Sequence, residues 1–120
     1  MKSSDFRQLI VWQKGMDLAY EIYSLVKSLP REETYALSDQ LRRSAVSIPS
    51  NIAEGQGRNS AKEFMKFRAI ARGSLWELST QIELCERLSY LTPEQTSKTN
   101  TLISEISKML TALSKSLTNN

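Results

Sequence analysis

The chain has 120 residues, 40% of them hydrophobic, and a formal net charge of +3 from 16 lysines and arginines against 13 aspartates and glutamates. Those proportions are those of one soluble globular domain, long enough to bury a core. With no histidine, imidazole acid–base chemistry, a Ser-His-Asp triad and histidine-ligated metal sites are excluded, including the Glu-x-x-His sites of di-iron bundles, and no cofactor is expected.

The single cysteine, Cys85, has no partner for an internal disulfide and sits on an apolar helix face, which predicts a buried thiol in a reducing compartment. No stretch approaches the roughly 18 apolar residues of a membrane helix, and the N-terminus lacks a signal-peptide core, so a cytoplasmic protein with no membrane contact is expected.

In chain order, Asp5-Phe6-Arg7-Gln8 fits either a capping box or an extended arm leading to Trp12. From Trp12 two apolar stripes run side by side, one through Met16, Ala19, Tyr23 and Val26, the other through Leu18, Ile22, Leu25 and Leu29. So wide an apolar face needs cover on more than one side, from bundle partners or from another subunit. Pro30 ends this helix, and Glu32 and Glu33 suit the positive end of the next helix dipole.

The second helix stacks Leu37, Leu41, Ala45, Ile48 and Ile52 on one face, with Arg42, Val46, Pro49 and Ala53 as a separate flank. Pro49 removes the backbone bond to the Ala45 carbonyl at a cost of about 3 kcal/mol, so the helix kinks or breaks there. The unbroken apolar phase from Ala45 to Ile52 favours a kink, and Ser47, Ser50 and Asn51 are placed to satisfy the freed carbonyl. Gly55 or Gly57 is read as a left-handed cap that stops it.

Ser60-Ala61-Lys62-Glu63 is a capping box for a third and longest helix, with Phe64, Phe67, Ala71, Leu75, Leu78, Ile82 and Cys85 on its core face. Its Gly73-Ser74 pair is weak in helix propensity and allows a close helix approach. Thr92-Pro93-Glu94-Gln95 starts a fourth helix carrying Leu102, Ile106, Leu110, Leu113 and Leu117, after which Asn119 and Asn120 fray. Four helices on short turns predict an all-α, antiparallel up-down-up-down four-helix bundle with a proline-kinked second helix, in a single domain over residues 1–120.

Charge is concentrated between Arg42 and Arg72. Seven basic residues there, Arg42, Arg43, Arg58, Lys62, Lys66, Arg68 and Arg72, face two acidic ones, Glu54 and Glu63, giving 7 − 2 = +5; the rest of the chain carries 9 − 11 = −2. On the third helix Arg58, Lys62, Lys66 and Arg72 lie away from the core stripe and Arg68 at its edge, a surface suited to phosphates. A solvated face that only maintains solubility gives the same spacing. Trp76, one turn beyond Arg72, is read first as an anchor of a protein interface and second as a stacking platform for a base. Glu54 has no nucleophile or metal ligand near it in sequence and is assigned to an ion pair with an arginine.

The runs YALSDQLRRSAVSIPSNIAEGQGRNSAKEF, IARGSLWELSTQ and DFRQLIVWQKGMDLA resemble the bacterial four-helix-bundle proteins found in intervening sequences of large-subunit ribosomal RNA genes, to which the accessory proteins of diversity-generating retroelements are similar. The resemblance spans Asp5 to Gln81. It implies a continuous bent second helix and a ring-like homopentamer, with a positively charged relative's association with nucleic acid and with a reverse transcriptase. Arg68 departs from the family pattern, which is more often apolar at that position. The resulting expectation is a non-enzymatic homo-oligomer that binds RNA or a ribonucleoprotein through Arg42, Arg43, Arg58, Lys62, Lys66, Arg68 and Arg72 and self-associates through Val46, Pro49, Ala53 and Trp76. The rival is a protein-only adaptor whose basic face docks an acidic partner.

Overall fold

The computed structural model describes residues 5–118, with side chains as far as Leu113; the Leu117 side chain, Asn119 and Asn120 lie outside the described residues. Its helices are α1 (Ile10–Leu25), α2 (Leu37–Gln56), α3 (Ala61–Arg87) and α4 (Pro93–Thr118), forming a rod of 48 × 22 × 20 Å. Residue pairs across each seam fix the directions. Lys14 meets Glu105 and Glu21 meets Lys98 between α1 and α4, while Gly55 lies against Phe67, and Ser47 against Ser74, between α2 and α3. Arg68 reaches Leu110 and Glu86 meets Thr96 between α3 and α4; Gly15 faces Pro49 between α1 and α2. Rising numbers on one helix pair with falling numbers on its neighbour, so the bundle runs up-down-up-down.

Of the two expected capping boxes, that at Thr92 is reciprocal, while at Ser60 only the cap half forms. Ser60 Oγ accepts from the Glu63 N–H at 3.1 Å, and Thr92 and Gln95 bond reciprocally at 2.9 and 3.2 Å. The Asp5 segment is a capped 3₁₀ turn, in which Asp5 accepts from the Arg7 N–H and Phe6 packs edge-on against Trp12 at 5.2 Å. Before Pro30, α1 tightens into a 3₁₀ turn over Val26–Ser28, and Leu29 is extended at φ −78°, ψ 152°, the geometry a following proline imposes. Glu33 lies in a separate 3₁₀ turn yet caps α2 through its side chain: Oε1 accepts from the Leu37 N–H at 3.2 Å and Oε2 from the Tyr90 hydroxyl at 2.9 Å.

The core comprises Leu18 and Ile22 of α1, Leu41, Ala45 and Ile48 of α2, Ala71, Leu75, Leu78, Ile82 and Cys85 of α3, and Ile106 and Leu110 of α4. Of the two α1 stripes, the one through Leu18 and Ile22 is buried. Met16 and Tyr23 of the other remain about half exposed, at 46% and 47%.

Two local expectations are corrected. Neither Gly55 nor Gly57 is left-handed: Gly57 ends α2 at φ −82°, ψ −2°, a conformation open to any residue. Gly55 is instead a buried contact residue whose Cβ would lie 3.0 Å from that of Phe67. The left-handed residue is Ser89 at φ 63°, in a Schellman turn where Tyr90 N–H reaches the Cys85 carbonyl and Ser89 N–H that of Glu86. Asn51 donates to the Ser47 carbonyl and hydroxyl, at 2.8 and 3.0 Å, rather than to Ala45. α2 passes through Pro49 as one continuous helix.

Gly73 faces open space with nothing within 4 Å of its added Cβ, so the close approach is made by Ser74 alone. Gly73→Ala is therefore expected to stabilise the protein by about 0.5–1 kcal/mol, read as a higher urea midpoint at unchanged m-value.

Candidate nucleic-acid interface

The seven basic residues do not form one surface. Lys62, Lys66 and Arg72 are exposed on α3 and have no ion-pair partner among the described residues. At about 100° per residue Lys62 and Lys66 point outward within roughly 40° of each other, and Arg72 turns toward α4. Arg58, in the α2–α3 turn, extends this group but is held by Glu54 and lies over the Phe67 ring at 4.9 Å. The Lys66 ammonium also lies near that ring, at 5.7 Å. Glu54 thus forms the ion pair expected of it.

Arg43 and Arg42 sit roughly 16–18 Å along the bundle from Glu54, eleven and twelve residues away at about 1.5 Å each. They line a groove of about 420 Å³ with Tyr23, Asp39, Val46 and Ser47, on the α1 side of α2. Arg43 bonds Asp39 at 2.9 Å, and the half-buried Arg42 donates to the Thr34 carbonyl at 3.2 Å, tying α2 to the turn before it. The Asp39–Arg43 pair is an i,i+4 spacing readable in the sequence, but Asp39 falls just outside the Arg42–Arg72 stretch.

Arg68 is corrected outright. It is 9% exposed, packed between α3 and α4, and contributes no exposed charge to the interface. Its guanidinium donates to the Leu110 carbonyl at 3.5 Å and its Nε has no partner. Burial first, and then the nearby charge of Arg72, lower its pKa from the ordinary arginine value.

The four self-association residues are also divided. Pro49 is buried against Gly15, whose absent side chain lets α1 approach to where a Cβ would lie 3.4 Å from the Pro49 ring, and it also lines the outer groove beside Val46 and Ala53, while Trp76 lies apart. Val46, Pro49 and Ala53 line a shallow groove of about 330 Å³ with Trp12, Met16, Ala19 and Ser50. Trp76, 51% exposed, lies across the bundle in a groove of about 380 Å³ between α3 and α4, with Ser79, Asn100, Ile103, Ser104, Ser107 and Lys108. The sequence reading missed Lys108 and the polar side chains around Trp76, since only the packing of α4 on α3 brings them together.

Among the described residues no group of acidic or thiol side chains is arranged to hold a metal ion, and no helix is long and apolar enough to cross a membrane. Cys85 is fully buried; burial, followed by the charges of Glu33 and Glu86, pushes its thiol up to about 11. The folded protein then keeps a proton that the unfolded chain loses near pH 8.5, so this stabilisation is full below that pH and falls as pH rises toward 11. Tyr90, raised first by its bond to Glu33, acts in the same direction. Urea unfolding at pH 8 and pH 10.5 is expected to show the loss, with a smaller loss in Cys85→Ala.

Fold and charge together define a helical-bundle protein with a cationic α3 face. The chain belongs to the 23S rRNA-intervening sequence protein family, whose model matches residues 7–112. It is similar to a crystal structure, at 1.70 Å resolution, of a protein of unknown function from the S23 ribosomal protein family of Bacteroides thetaiotaomicron. The two are 32% identical with a TM-score of 0.80, over 87% of this chain and 97% of that one. No curated protein matches the chain.

Proposed function

We propose that this protein is a non-enzymatic, self-assembling cytoplasmic accessory protein that binds nucleic acid, RNA or a ribonucleoprotein, through α3. The observation that carries the reading is the exposure of Lys62, Lys66 and Arg72 on one helix without carboxylate partners among the described residues. Unpaired cations release counterions when they meet phosphates, which gives salt-dependent binding of low sequence specificity. Lys108, across the groove between α3 and α4, adds a further cation beside this helix. The test is fluorescence anisotropy of labelled structured RNA and duplex DNA over a salt series. Affinity that falls steeply with salt supports the reading, and no binding at low salt overturns it in favour of a protein-only adaptor.

Assembly fits the division of the apolar residues. A closed ring joins two different patches of each subunit, and Val46 and Ala53 lie on the side of the bundle opposite Trp76. A homopentamer is the first expectation, from the family resemblance, and a reverse transcriptase is a candidate protein partner on the same ground. Light scattering behind size exclusion would read about 5 × 13.6 = 68 kDa.

A further inference from the structure

Trp76 stands half exposed among mostly polar neighbours. Ser79, Asn100, Ser104 and Ser107 share its groove between α3 and α4, and Ile103 is the apolar member of that lining. A tryptophan left half in water is incompletely buried, since a covered ring of its size removes on the order of 200 Å² from solvent. Glu77, its neighbour in the chain, is exposed and makes no ion pair among the described residues.

The α1–α2 seam has the opposite deficit. Two grooves run end to end along it and share Val46. One is largely apolar, with Trp12, Met16, Pro49 and Ala53, and its Met16 and Val46 are nearly half exposed. The other carries Arg42, which donates to the Thr34 carbonyl and has no carboxylate partner among the described residues. A thioether and an indole suit an incoming aromatic ring, and the guanidinium beyond them suits a carboxylate.

Height along the bundle decides whether the two patches can meet. Ser47 of α2 touches Ser74 of α3, and the two helices run antiparallel. At about 1.5 Å per residue, Trp76 lies about 3 Å past Ser74, and Val46 about 1.5 Å past Ser47 in the same direction. The Trp76 and Val46 positions are thus level to within about 2 Å, and Glu77 and Arg42 to within about 3 Å, by the same rise. Patches at equal heights join copies side by side with no rise from one to the next, which is the condition for a closed ring rather than a filament.

We propose that Trp76 of one copy seats over Val46 in the α1–α2 groove of the next, with Glu77 pairing with Arg42 across the same contact. This pairing depends on the self-assembly proposed above and specifies which two patches meet. Each copy gives one indole and receives one. Lys66 lies ten residues from Trp76, about 15 Å along α3, so the Lys62–Lys66 end of the helix stays clear of the contact.

The test uses two variants, Trp76→Glu, which removes the indole, and Val46→Glu, which puts a charge in the groove. Both positions are exposed, so far-ultraviolet circular dichroism should match wild type. Light scattering behind size exclusion, over a concentration series, is expected to show wild type as an oligomer and each variant alone as a monomer of 13.6 kDa. Mixed in equal amounts, the two should form a species of 2 × 13.6 = 27.2 kDa and nothing larger, because one intact indole and one intact groove remain between them. Variants that stay assembled alone, or a mixture that stays monomeric, overturn the pairing while wild-type assembly stands. A monomeric wild type overturns self-assembly itself, and this contact with it. Should either variant fail to fold, Glu77→Arg decides: a dissociation constant raised about tenfold or more supports the contact, and an unchanged one overturns it.

Discussion

Lys62→Glu combined with Arg72→Glu is expected to lower polynucleotide affinity by about 100-fold or more at low salt, because two phosphate contacts are lost and two repulsions are introduced. The slope of log affinity against log salt should fall by about 1.5–2, the counterions no longer released. Both side chains are exposed on α3 and neither is engaged in an ion pair, so the helix and its core face are left intact. Anisotropy on the double variant, with its far-ultraviolet circular dichroism unchanged, reads the effect directly. Arg43→Glu is the control. Arg43 is already neutralised by Asp39 and faces the α1 side, so its reversal should change affinity far less. Equal losses from the two substitutions, or unchanged affinity in the double variant, would remove α3 as the binding face.

The largest stability effect is expected at Gly55. Its missing Cβ would lie 3.0 Å from Phe67 Cβ and 3.5 Å from the Phe64 carbonyl, both fixed parts of α3 rather than movable side-chain ends. Gly55→Ala sets this crowding against a helix-propensity gain of about 1 kcal/mol and should be close to neutral. Gly55→Val adds two methyl groups at the contact and gives up part of that gain, so overpacking wins by about 2–3 kcal/mol. A fall in melting temperature of about 10 °C is the corresponding readout. The opposite sign expected at Gly73, where nothing lies within 4 Å, shows that the neighbours decide and not the residue type.

The same contrast explains how much of this protein is legible in its sequence. The helices, their core faces, the Ser60 cap and the Thr92 capping box follow from spacings of three and four residues, which report local geometry whatever packs around it. α1 was ambiguous because both of its stripes are apolar, and only contact with α2 and α4 decides that Leu18 and Ile22 go inward. Pro49 lies on the Val46–Ala53 flank as its spacing indicates, but its burial against Gly15, 34 positions earlier on another helix, follows only from the packing. Ser89 adopts a left-handed conformation that its residue type does not advertise.

The site was legible as a concentration of charge and not as a surface. Spacing alone identified Lys62, Lys66 and Arg72 as outward-facing. It gave no warning that Arg68, at the edge of the stripe, is drawn inside by its approach to Leu110. Nor did it reveal Lys108, which joins Trp76 only across the α3–α4 groove.

Three of the four seams in this bundle join helices that follow one another in the chain, and each can zip from its own short turn. The seam between α1 and α4 alone must bring together segments separated by most of the sequence, as the 91-residue span of the Lys14–Glu105 bond illustrates. Loop-closure entropy therefore falls on that seam, and folding is slowed there more than anywhere else. Its two ion pairs, Lys14–Glu105 and Glu21–Lys98, are partly open to water and contribute little holding strength. The α1–α4 edge is thus expected to close last, after the α2–α3 hairpin.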